Sequence, residues 1–258
     1  MNESTKRFSS RVDDYVRYRP TYPAGVLETL RQECGLATTH EIADIGSGTG
    51  LLSQLLLRNG NRVYAVEPNR EMRHAAEQLL GTQSQFVSVD GTAEATTLAA
   101  DSVDFVCAGQ AFHWFEPTAT RREFARILQP TGWVVLVWNY RRIETTPMMQ
   151  AYEEIVKRYS DDYEDVSHHR PEFDDANVRS FFGSQGCKLA VHYNEQRFDF
   201  AGLRGRLLSS SYAPEVGHPN HAPMLADLQA LFEQYQQQGQ VTFEYDTKVY
   251  YGPLSNVG

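Results

Sequence analysis

Between residues 41 and 139, short β-rich runs alternate with stretches whose apolar positions recur at helical spacing. The runs EIADI, RVYAVE, QFVSVD, VDFVCAG and WVVLVWN predict five strands. Leu51, Leu52, Leu55 and Leu56 share one helical face after the first run, and Phe124, Ile127 and Leu128 do the same before the fifth. This alternation predicts an α/β fold in which helices cover both faces of a parallel sheet through right-handed crossovers.

The rhythm changes after Asn139. Helical patterns over 148–159 and 174–182 flank the acidic, loop-like SDDYEDVSHHRPEF. Strand character returns in CKLAVHY and in VTFEYDTKVYYG, where Val241, Phe243 and Tyr245 alternate with polar neighbours. Two further helices are expected over roughly 203–211 and 223–238. The two late strands would pair like a hairpin at one edge, making a mixed sheet of seven strands. The chain then reads as a single domain, 1–258. It comprises an N-terminal lid with the first helices (1–36), a core (40–140), helical additions with the sixth strand (141–240) and a last strand (241–252).

A chain of 258 residues has ample length for a core and a ligand cleft. Cys34, Cys107 and Cys187 lie far apart and form no C-x-x-C pair, which suggests neither a disulfide framework nor a zinc knuckle. Adjacent histidines in SHHR (167–170) lack companion ligands at helical spacing, so no metal is expected. The longest apolar run, VVLVW, is far too short for a membrane span, and the first twenty residues hold no apolar leader segment. The expectation is a cytoplasmic protein. A formal net charge of -9 argues against broad binding to a phosphate backbone, so no nucleic-acid partner is expected. Oligomeric state is not legible.

The chemistry concentrates in HEIADIGSGTG, residues 40–50. Gly46, Gly48 and Gly50 between a strand and a leucine-rich helix allow a tight turn and let a ligand lie against the backbone. A dinucleotide fingerprint would need glycine at position 51, which is Leu51, and no Gly-Lys-Ser/Thr is present to hold a triphosphate. Glu67 ends the next strand 21 positions after Gly46, where an acid accepts hydrogen bonds from ribose hydroxyls. Glycine loop and acid together indicate an adenosine-like ligand.

These residues resemble the class I S-adenosylmethionine-dependent methyltransferases. IADIGSGTG is similar to their first motif, VYAVEP to their second and VSVDGTAEATTL to their third, while CAGQAFHWF falls where their fourth motif ends. The opening FSSRVDDYVRYRPTYP and the closing FEYDTKVYYG resemble a small-molecule subset that includes trans-aconitate methyltransferase-like enzymes. The resemblance covers roughly residues 40–140 and implies a Rossmann-like three-layer sandwich. It also implies S-adenosylmethionine as cofactor and S-adenosylhomocysteine as product. Asp44, Gly46, Gly48, Gly50 and Glu67 would hold the donor, with Thr92 and Ala93 at the adenine edge. The acceptor would be a small molecule, a carboxylic acid or other metabolite.

Methyl transfer is an in-line displacement that alignment and desolvation accelerate, and a base is needed only for an acceptor that must lose a proton. His113, after the fourth strand, is the base candidate; the alternative is a histidine that braces Trp114. Gln110 would bind the cofactor or orient the acceptor, or serve as a loop amide. Tyr15, Tyr18, Arg19 and Tyr22 would close over the donor, with Arg19 on its carboxylate, or would pin the N-terminal segment by their rings. Arg204 and Arg206 are read as recognition of an acidic acceptor or as ordinary helix surface. Ser211 and Tyr212 would line the acceptor pocket. Two other readings remain open: a non-catalytic S-adenosylmethionine-binding partner protein, and a nicotinamide-dependent oxidoreductase.

Overall fold

The computed structural model describes residues 16–160, 175–210 and 212–254. Seven strands are present: β1 (Glu41–Ile45), β2 (Arg62–Val66), β3 (Phe86–Val89), β4 (Val103–Gly109), β5 (Leu128–Arg141), β6 (Lys188–Phe198) and β7 (Val241–Gly252). The helices are α1 (Gly25–Cys34), α2 (Leu51–Arg58), α3 (Arg70–Leu80), α4 (Pro117–Ile127), α5 (Pro147–Tyr159), α6 (Asp175–Phe182), α7 (Phe200–Leu208) and α8 (His221–Tyr235).

The strands form one sheet in the order β3-β2-β1-β4-β5-β7-β6. Strands β1 to β5 pair in parallel, and β7 is antiparallel to both β5 and β6. The late pair therefore adds at one edge as expected, with β7 inserted between β5 and β6. Alternation along the buried strands feeds two cores. Phe105 and Cys107 face α1 and α2 with Val26, Leu30 and Leu56, whereas Val106 and Ala108 face Phe124 and Ile127 of α4. A third cluster joins α5, α7 and α8 to the start of β7 through Met149, Tyr152, Leu203, Leu228 and Phe243. This places the helical additions beyond the carboxyl end of β5.

Two helices differ from the sequence reading. The one expected over 203–211 occupies Phe200–Leu208, because Asp199 caps it by accepting a hydrogen bond from the Gly202 amide at 2.7 Å. The one expected to reach 238 stops at Tyr235, where the chain turns extended at Gln236 and closes a tight turn with Gly239 at φ 79°. The surface reading of α7 holds for Arg204, which is exposed, and fails for Arg206, which is 4% exposed. The SHHR segment lies outside the described residues.

Candidate functional site

Strand order reverses between β1 and β4, and at such a switch point the following loops diverge to leave a crevice at the carboxyl edge of the sheet. The loop after β1 borders it. Gly46, Gly48 and Gly50 all have positive φ, at 65°, 57° and 86°. They differ in their surroundings. A Cβ on Gly46 would lie 2.7 Å from the Ala111 Cβ, and one on Gly50 would lie 2.6 Å from Leu80 Cδ1. At Gly48 a Cβ would meet only Met72 Sδ, at 3.6 Å. Close packing thus holds position 46 to glycine, the contact at Gly50 falls on the movable end of a leucine side chain, and Gly48 has a single side-chain atom at ordinary contact distance, which leaves its backbone bare.

Two acids border this loop. Glu67 follows β2, and its Oε2 accepts from the Gly48 amide and its Oε1 from the Asn69 amide, both at 2.8 Å. Burial raises its pKa, and those two backbone donors oppose the shift. An ionised carboxylate offers about four acceptor sites, so two remain for a ligand's hydroxyls. Asp44, at the end of β1, is fully buried; its Oδ2 accepts from Ser53 Oγ at 2.6 Å, and its Oδ1 has no hydrogen-bond partner among the described residues. The hydroxyls of Ser47 and Thr49 are likewise buried and unpartnered. Three such atoms around one bare loop are poised for a polar ligand.

Burial pushes the Asp44 carboxyl up to about 7 despite the Ser53 hydrogen bond. Because its folded pKa lies above its unfolded value, the stability it contributes is fully present below about pH 4 and is lost as pH rises through about 7. Asp44→Asn removes this dependence. In urea unfolding, the stability of wild type minus that of the variant should fall between pH 4 and pH 8, by on the order of 2–4 kcal/mol. A constant difference would show that Asp44 ionises normally.

Thr92 and Ala93 occupy a tight turn after β3, closed by hydrogen bonds between Thr92 and Ala95. Ala93 is buried and Thr92 exposed. Glu123 of α4 anchors the turn by accepting from the Thr96 amide at 2.9 Å. After β4, Gln110 holds φ at 56°, a left-handed conformation costly for a residue with a side chain. Its amide donates to the Val137 carbonyl and its Oε1 accepts from the Asn139 amide, both at 2.9 Å, which ties β4 to β5. His113 and Trp114 sit in a short 3₁₀ turn, Phe112–Trp114, with ring centroids 4.7 Å apart.

The N-terminal segment crosses from this crevice to the helical additions. Tyr22 is buried, with its hydroxyl so close to Gly109 that a Cβ there would lie 2.5 Å from it. Asn139 Nδ2 donates to the Thr21 carbonyl at 3.3 Å. Tyr18 lays its ring against Gly205 of α7, and Arg19 Nη2 donates to the Ser209 carbonyl at 2.7 Å. The segment is therefore pinned by its rings, with Arg19 bonded to the end of α7. Tyr212, half-buried, accepts from Arg141 Nη1 at 3.1 Å. Tyr15 and Ser211 lie outside the described residues.

Sequence reasoning overlooked Ser53 and Asn139. A serine at a buried position of the leucine-rich α2 was the available signal for the first. Asn139 gave none, because its partners on the N-terminal segment are distant in sequence. Among the described residues no group of three or more histidines, cysteines or acids is arranged to hold a metal ion, and no helix is long and apolar enough to cross a membrane.

Comparisons with known proteins agree with this geometry. Residues 43–136 match the model of a methyltransferase domain. An uncharacterized methyltransferase of Mycobacterium tuberculosis is 37% identical over 158 residues, covering 61% of this chain and 62% of that protein. A Schizosaccharomyces pombe methyltransferase-like protein, also uncharacterized, is 33% identical over 161 residues, covering 61% and 60%. The chain thus spans less than two thirds of the length of these curated relatives. Among solved structures, a proposed type II methyltransferase from Anaeromyxobacter dehalogenans superposes with a TM-score of 0.70 at 20% identity, covering 92% of this chain and 98% of that one. A Geobacter sulfurreducens methyltransferase solved with S-adenosyl-L-homocysteine gives a TM-score of 0.52 at 15% identity, covering 97% of each. Residues 43–136 thus match a methyltransferase domain, and the strand order is that of the Rossmann-like fold these neighbours share, with a seven-stranded mixed sheet.

Proposed function

We propose that the chain transfers a methyl group from S-adenosylmethionine to a small-molecule acceptor. The carrying observation is the set of unpartnered buried atoms, Asp44 Oδ1, Ser47 Oγ and Thr49 Oγ1, around the backbone bared at Gly48. The cofactor, when bound, supplies an electrophilic methyl on a sulfonium. Asp44 suits its ammonium, the Ser47 and Thr49 hydroxyls and the amino end of α2 suit its carboxylate, and Glu67 suits its ribose. The turn at Thr92 and Ala93 would border the adenine. Gln110 would set the rim of the acceptor space through its bonds to β5, with the Tyr22 ring behind it. His113 and Trp114 would flank the acceptor. A histidine there can take a proton from a hydroxyl or ammonium acceptor, and a carboxylate acceptor asks only for orientation.

Net charge of -9 supports a small molecule over nucleic acid, and three free cysteines fit a reducing, cytoplasmic setting. Calorimetry with S-adenosylmethionine, S-adenosylhomocysteine and NADH in parallel tests the reading. The two sulfur compounds should bind and NADH should not; the reverse would reopen the glycine loop as a redox-cofactor site. With a methyl acceptor in hand, His113→Ala should lower kcat by about 10²-fold if the histidine is the base. Donor binding with no turnover on any acceptor would instead favour a regulatory subunit.

A further inference from the structure

Arg141 leaves the end of β5 two residues beyond Asn139, at the junction between the crevice and the helical additions. Its Nη2 lies 2.6 Å from Glu153 Oε2, with both side chains under one-tenth exposed, and its guanidinium stands 5.1 Å over the Tyr152 ring. Arg206 enters the same region from α7. It is 4% exposed, and its Nε and Nη1 donate to Tyr245 OH at 3.3 Å and Ser210 Oγ at 3.1 Å. Both of those partners are neutral, and Arg206 makes no ion pair among the described residues. Arg19 reaches this region from the N-terminal segment. Burial acts to raise the Tyr212 phenol, but the charges of Arg141 and Arg206, a hydrogen bond with Ser210 and, least of these, the charge of Arg19 bring it below its usual range.

Arg206 and Tyr152 are the telling residues. A guanidinium out of water with only neutral partners is costly, and cores that hold one ordinarily supply a carboxylate. Tyr152 is fully buried, yet its hydroxyl has no hydrogen-bond partner among the described residues. An ordinary core would place phenylalanine there. Both defects would be repaired by one anionic group accepting from the Arg206 fork and the Tyr152 hydroxyl. A planar carboxylate matches a guanidinium edge in two parallel hydrogen bonds.

We propose that Arg206, Tyr152 and Arg141, with Tyr212 at the rim, form a subsite for a carboxylate carried by the methyl acceptor. The assignment rests on the methyl-transfer reading for its placement beside the crevice. It would orient a small organic acid by its anionic end, leaving the other end of the molecule toward Gln110 and His113.

The test uses the full chain saturated with S-adenosylhomocysteine, titrated calorimetrically with benzoate and succinate and with their uncharged counterparts benzamide and succinamide. At least one carboxylate should bind about tenfold or more tightly than its amide, reflecting a charged hydrogen-bonded pair. Tyr152→Phe should weaken that binding by about tenfold while leaving the melting temperature unchanged or higher, since the lost hydroxyl has no partner in the protein. Arg206→Met should abolish it; Tyr152→Phe keeps the test decisive should that variant fail to fold. Equal or absent binding of acid and amide, wild-type affinity in Tyr152→Phe, or tighter binding of inorganic phosphate than of either acid would each overturn the assignment. The preliminary titration with S-adenosylhomocysteine separates the two readings. Its failure in wild type removes the cofactor assignment, whereas its success with failed carboxylates removes only the subsite.

Discussion

Gly46→Ala is expected to melt roughly 5–15 °C below wild type, the largest loss of stability from any single methyl group in the glycine loop. Two costs add. A left-handed φ of 65° costs an alanine about 1–2 kcal/mol. The new Cβ would lie 2.7 Å from the Ala111 Cβ and 3.3 Å from the Phe115 ring, an overpacking penalty of about 1–3 kcal/mol. The clash falls on the segment that carries His113 and Trp114, so donor binding and turnover should fall as well. Gly48→Ala is the control. It has a similar φ of 57° but meets only Met72 Sδ at 3.6 Å, so it should lose about 1–2 kcal/mol. Thermal unfolding of the pair checks this; equal losses would mean that backbone conformation, and not packing against Ala111, makes glycine necessary at position 46.

Glu67→Ala should cost about 10²-fold in affinity for S-adenosylhomocysteine by calorimetry, with a stability loss of about 1–3 kcal/mol. The side chain has two tasks in the structure. Its oxygens hold the amides of Gly48 and Asn69, fixing the bare loop against the start of α3, whose first turn Asn69 caps by accepting from Met72. Its remaining lone pairs would accept from the ribose hydroxyls. Glu67→Gln separates the tasks, because an amide keeps one acceptor oxygen and surrenders the other. It should fall between wild type and alanine in affinity while losing less stability. Unchanged donor affinity in Glu67→Ala would refute the ribose assignment and leave Glu67 as a brace for the loop.

Most of the architecture was legible because it is written locally. Apolar runs bounded by turn residues define β1 to β5, and the alternation of Val241, Phe243 and Tyr245 placed β7 at its observed bounds. Errors fell at helix ends, where a single cap outweighs periodicity: Asp199 starts α7 ahead of its leucines. The glycine loop and its acids were equally legible, since a tight turn and a strand-end acid are nearest neighbours in sequence. The tyrosine and arginine cluster was visible, but whether it closes over a ligand or packs against the fold was open. Its anchors, Gly109, Asn139, Gly205 and Ser209, lie roughly ninety to one hundred and ninety residues away.

By itself, then, the sequence determined the order of strands and helices, the bare loop and the acids beside it, because each depends on residues within one or two turns of chain. Only the tertiary structure decided which polar groups are buried and what they meet. Gln110 ties β4 to β5, Asp44 loses water on one oxygen, and Arg206 turns inward among neutral partners. Burial and desolvation belong to the packed whole: the cost of a charge is set by the elements that close around it, and those arrive from every part of the chain.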